Sequence, residues 1–89
     1  MKNSRSMFAT TFKDNCIYVV GGIDKEKKEM SECEMYDMNT NQWVDMLKLN
    51  HARSSASLIV TNNDLYVFGG YPIGVPIEKY SLKLRFGWM

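Results

Sequence analysis

Ile17-Tyr18-Val19-Val20-Gly21-Gly22 is an apolar run closed by two glycines, and it returns as Leu65-Tyr66-Val67-Phe68-Gly69-Gly70. Val, Ile, Tyr and Phe suit a pleated, buried surface, so each run reads as a strand. The glycines mark a place where the backbone needs a positive φ or a close approach. A phosphate cradle would require a helix after the glycines, and no helical period follows either pair. Two such runs with matching flanks define a repeat.

The flanks do match. Arg5-Ser6, Asn15, Tyr18, Val19 and Gly21-Gly22 have partners in Arg53-Ser54, Asn63, Tyr66, Val67 and Gly69-Gly70, all 48 positions later and without a gap. Beyond the glycines the second copy is shorter. Glu34-x-Tyr36 returns as Glu78-x-Tyr80 after 44 positions, and Trp88 stands for Trp43 one residue late. Met1 falls at the position equivalent to Leu49. The repeats divide the chain at 1–52 and 53–89.

Turn signals separate the strands. Lys13-Asp14-Asn15 ends a first strand over 6–12, and Asn39-Thr40-Asn41 lies between a third strand over 32–38 and a short fourth over 43–46. Short strands at regular spacing make the chain all-β. A helical turn at 48–52 is the one helical alternative.

Composition narrows the function. At 45% hydrophobic and 24% charged residues the chain reads as globular rather than disordered. Eleven basic residues against ten acidic ones leave a net charge of +1, which gives no electrostatic case for nucleic acid or an anionic membrane. No apolar run approaches the roughly 20 residues of a membrane span, and residues 1–15 have no apolar signal segment. Cys16 and Cys33 lack a C-x-x-C spacing or a His partner, so they read as free thiols of a cytoplasmic protein, with a disulfide between them as the alternative. His51, the single histidine, sits near Asp45 and Ser54 at loop-like positions. Neither a catalytic motif nor a metal-ligand spacing surrounds it, so no enzyme, metal or cofactor is expected. The run Lys25-Glu26-Lys27-Lys28-Glu29 alternates in sign and reads as a solvated loop.

A period near 50 with Gly-Gly, then Tyr, then Trp resembles the kelch repeat. The resemblance rests on Arg5, Tyr18, Gly21, Gly22, Tyr36, Trp43 and Met46, and on Arg53, Tyr66, Gly69, Gly70, Tyr80 and Trp88. It implies a β-propeller built from antiparallel four-stranded blades. The chain would hold one complete blade and three strands of a second, the fourth due to begin at Trp88. It also implies structural roles for these residues. The glycines would leave bare backbone for a neighbour, and the aromatic residues would pack within and between blades. Since repeat units need neighbours, further kelch blades are expected in cis or by association, and the chain reads as a piece of a larger propeller.

The resemblance places partner contacts just after the Arg, just after Gly-Gly, and before the third strand. Carried over, these are Ser6 and Ser54, Ile23 and Tyr71, and Glu29. Ile23 is apolar and Glu29 acidic, which counts against an acidic peptide. The implied function is protein or peptide binding. One form is substrate recognition for a cullin-type ubiquitin ligase, which would also require a BTB domain and a helical linker. The alternatives are a cytoskeletal or scaffolding kelch protein, or part of a propeller oxidase or sugar-processing enzyme.

Overall fold

Alternation of apolar and polar residues produces eight strands in the computed structural model, which describes residues 4–82 and the backbone of Gly87–Trp88. Met1 and the side chain of Trp88 lie outside the described residues. The first sheet runs β1 (Ala9–Lys13), β2 (Cys16–Val20), β3 (Cys33–Asp37) and β4 (Gln42–Met46), each antiparallel to the next. The second repeats it with β5 (Ser57–Val60), β6 (Asp64–Phe68) and β7 (Glu78–Ser81). Gly87–Trp88 (β8) adds the two-residue opening of a fourth strand, pairing Trp88 with Tyr80 as Trp43 pairs with Tyr36.

Local chemistry sets the joints. β1 extends to Lys13, because Asp14 and Asn15 alone form the turn, with φ of 52° and 61°. Two consecutive positive φ values match the twist of a tight hairpin, and Asp and Asn tolerate that region. No helix forms at 48–52. Leu49 N–H donates to the Ser31 carbonyl at 2.8 Å, and the Asn50 and His51 N–H groups donate to the Glu78 carboxylate at 2.7 and 3.0 Å. The segment instead runs as an irregular link between the sheets, anchored by these contacts.

The core lies between the two sheets. One face of the first sheet contributes Ala9, Cys16, Tyr18, Val20, Cys33 and Met35, and the facing side of the second contributes Leu65, Val67 and Tyr80. Leu65 and Val67 are fully buried. β1 and β5 lie side by side, and Ser55 N–H donates to the Met7 carbonyl at 2.7 Å. Each sheet thus covers only one face of the other, as propeller blades do.

Cys16 and Cys33 are buried free thiols. Burial pushes the Cys33 thiol from 9.0 up to about 12. Above pH 9 the unfolded chain therefore binds fewer protons than the folded one. Stability present below pH 9 falls as pH rises toward 12, by at most about 1.4 kcal/mol per pH unit. Urea midpoints at pH 8 and 10 should diverge in the wild type and diverge less in Cys33→Ala. Equal divergence would show that Cys33 titrates normally.

Candidate functional site

The glycine-ended strands deliver their loops to one end of the two sheets, and a buried arginine organises each loop cluster. Arg5 donates to the Gly21 carbonyl at 2.9 Å, the Glu32 carbonyl at 2.8 Å and the Glu34 carboxylate at 2.8 Å. Arg53 donates to the Pro76 carbonyl at 2.6 Å and the Glu78 carboxylate at 2.8 Å. Both ion pairs are nearly inaccessible, with side-chain exposures of 0% and 1%, and 0% and 4%. Burial of such charges is tolerated only when they are paired, although one buried nitrogen of each guanidinium, Arg5 Nε and Arg53 Nη1, has no hydrogen-bond partner among the described residues. Glu34 and Glu78 entered the sequence reading only as matched positions. Their partners lie 29 and 25 residues away, beyond any local pattern. Arg recurring ahead of each Glu-x-Tyr was the available signal.

The main chain of Arg53 joins the blades. Its carbonyl accepts from Gly22 N–H at 2.8 Å, and its N–H donates to the Met30 carbonyl at 3.1 Å. Gly21 has φ of 65°, and a Cβ there would overlap the Arg53 carbonyl oxygen. A Cβ on Gly22 would lie 2.7 Å from the Ser6 carbonyl oxygen. Gly70 meets the Ser54 carbonyl in the same way, whereas a Cβ on Gly69 would meet nothing within 4 Å.

Isolated bridges hold the candidate contact residues. Ser6 pairs with Ile23, Ile23 with Glu29, and Ser54 with Tyr71. Ser6, Ile23 and Glu29 thus form one cluster, with Ser6 and Glu29 exposed and Ile23 half-buried. A shallow cavity of about 320 Å³ opens there, lined by Ser4, Arg5, Ser6, Ile23, Asp24 and Lys25. Tyr71 is 60% exposed at the equivalent place in the second sheet. Ser54 is only 6% exposed, because Arg53 carries it into the joint between the sheets. Its backbone holds Tyr71, with reciprocal bonds of 3.0 and 2.8 Å.

Two apolar residues of the same loop as Tyr71 were not singled out from the sequence: Ile73 is 85% exposed and Ile77 68%. They lie outside strand alternation, so periodicity carried no signal for them. The mixed charge run folds back on Asp24, whose carboxylate accepts from Glu26 and Lys28 N–H at 2.8 and 3.1 Å. Tyr36 and Trp43 pack at a centroid distance of 5.0 Å, tilted by 58°, and both remain half-buried. His51 projects to solvent beside Glu78, with a nitrogen 3.8 Å from its carboxylate and 51% of its side chain exposed. Among the described residues, no group of three or more His, Cys, Asp or Glu is placed to hold a metal. None of their helices is long and apolar enough to cross a membrane.

Comparison with known proteins bears on the same features. The family model described as the Kelch motif matches residues 4–46. Kelch-like protein 41a of Danio rerio is 37% identical over 73 residues, covering 82% of this chain and 12% of its own length. Kelch-like protein 40 of Xenopus laevis is 35% identical over 84 residues, covering 94% and 13%. Kelch repeat and BTB domain-containing protein 1 of Ectromelia virus (strain Moscow) is 34% identical over 67 residues, covering 74% and 12%. The chain spans about an eighth of the length of these relatives. With arginine-led loops, Gly-Gly strand ends and four-stranded antiparallel order recurring in both halves, the chain belongs to the kelch-repeat family.

Proposed function

We propose that the loop end of the two blades is a binding surface for a protein or peptide partner, with no catalytic step. The observation that supports this most is a single loop, which presents Tyr71, Ile73 and Ile77 to solvent from a scaffold that holds it at Ser54. Exposed apolar side chains on a rigid frame are what a partner can desolvate at little ordering cost. Ser6, Ile23 and Glu29 extend the surface onto the first blade. Ser54 acts as its support.

The finer reading is substrate recognition for a cullin-type ubiquitin ligase in the cytoplasm. A relative whose name joins kelch repeat with BTB domain supports it, and two free thiols fit a reducing compartment. A cytoskeletal or scaffolding role would use the same loops. Co-purification of the full-length protein with a cullin separates the two.

A peptide library selected on the folded protein tests the surface. Selected peptides should lose about tenfold in affinity on Tyr71→Ala or Ile73→Asp, the scale of one interface anchor. Unchanged affinity in both variants would remove the loops from the reading.

A further inference from the structure

Among the described non-glycine residues, positive φ occurs at Met7, Asp14, Asn15, Lys27, Asn41 and Ser55. Asp14, Asn15 and Asn41 are residue types that tolerate it, and Lys27 lies in the exposed charge run. Met7 and Ser55 have another origin. They are sequence equivalents 48 positions apart, each with φ of 55°, and each precedes the first strand of its sheet. The repeat therefore calls for a left-handed residue at this place, which glycine would supply at little steric cost.

Nothing in the fold offsets the cost of a side chain there. Met7 is 61% exposed and takes no part in the core. That exposure does not depend on where the blades stop. Ser55 has the first sheet ahead of it, Met7 has the second sheet after it, and both are exposed. A strained residue kept in the open points to a contact with something outside the fold.

Its position and chemistry say what that contact is. Ser6, next to Met7, bridges to Ile23, and Ser54, next to Ser55, bridges to Tyr71. Ser55 N–H donates to the Met7 carbonyl at 2.7 Å, which brings the two turns together. Met7 thus stands where the loop cluster of the first blade meets that of the second. The nearby arginines offer no free charge, because Arg5 and Arg53 are buried in their pairs with Glu34 and Glu78. What the junction presents is a flexible thioether beside serine hydroxyls. A thioether is polarizable and packs favourably at the edge of an aromatic ring.

We propose that Met7 is a specificity-determining anchor of the binding surface and receives an aromatic side chain of the partner peptide. This rests on the binding reading above and names the residue class that the junction between the blades selects.

Met7→Gly tests it, because the substitution relieves the turn and removes the thioether at once. Stability and affinity should then move in opposite directions. The urea midpoint should rise above that of the wild type. Peptides selected from a random library on the folded protein should share an aromatic residue and bind Met7→Gly about tenfold less tightly. Ser55→Gly relieves the same backbone without removing apolar surface, so it should raise the midpoint and keep most of the affinity. Changing the shared aromatic residue of the peptide to Ala should cost about tenfold on the wild type and almost nothing on Met7→Gly, since both changes remove one contact. A midpoint for Met7→Gly below the wild type would reveal a packing role and overturn the proposal. Selected peptides without a shared aromatic residue would overturn it too. Peptides that weaken on Tyr71→Ala or Ile73→Asp but bind Met7→Gly unchanged would overturn the anchor and leave the binding surface standing. A library that yields no binder, or peptides indifferent to all three positions, would remove both.

Discussion

Glu78→Ala is expected to lower stability by about 3–5 kcal/mol, the cost of leaving a buried charge without its partner. One carboxylate here serves three residues of the segment that links the sheets. It accepts from Arg53 at 2.8 Å, and from the Asn50 and His51 N–H groups at 2.7 and 3.0 Å. Removing it strands a guanidinium that is inaccessible to water and unties the segment linking the sheets. For a chain whose whole stability is about 5–15 kcal/mol, this is a large share of it. Arg53→Ala should cost a similar amount, since it strands Glu78 instead. The double variant Arg53→Met with Glu78→Leu should cost much less than the sum, because an apolar pair needs no partner charges. Lys25→Ala, on an exposed loop, should stay within about 0.5 kcal/mol. Urea melts decide this: a loss below about 1 kcal/mol for Glu78→Ala would mean that the pair is hydrated and unimportant.

Gly21→Val comes second in size. A positive φ costs a non-glycine residue roughly 1–2 kcal/mol, and the new Cβ would overlap the Arg53 carbonyl oxygen while lying 3.4 Å from that of Met30. Backbone on both sides gives little relief, so crowding adds about 1–3 kcal/mol. Gly69→Val carries the same backbone cost, with φ of 72°, but meets nothing within 4 Å. The two substitutions are sequence equivalents. Their difference therefore isolates the contact between blades. Gly21→Val should be the more damaging by at least about 1 kcal/mol. Equal losses would mean that conformation alone fixes these glycines.

Much of the architecture was legible because the repeat writes it twice. The shared spacing from Arg5 to Gly22 and from Arg53 to Gly70 places β1 and β2, then β5 and β6, with no structural input. Glu-x-Tyr locates β3 and β7, although it says nothing of what the glutamate does. That role depends on an arginine brought in from another loop, and pairing across 25 or more residues leaves no periodic trace. Burial was the harder property. Ser6 and Ser54 are equivalent in sequence, yet only Ser54 is enclosed, because Arg53 alone has a blade in front of it. Exposure of Ile73 and Ile77 escaped notice for the opposite reason. Apolar residues in a loop suggest burial unless the loop's path is known. The link at 48–52 is likewise irregular rather than helical, its amides held by Ser31 and Glu78, contacts that local sequence does not contain.

The bond between blades can be read one amide at a time. Gly22 N–H donates to the Arg53 carbonyl at 2.8 Å, and Arg53 N–H to the Met30 carbonyl at 3.1 Å. Both sit in loops, where isolated amides exchange quickly. If the second blade docks its arginine backbone onto the glycines of the first, both amides should exchange only with global unfolding, as slowly as the strand amides of Tyr18 and Val67. Exchange of Gly22 and Arg53 at loop rates, with the strand amides still protected, would contradict it: the chain would then hold two separate sheets rather than two joined blades.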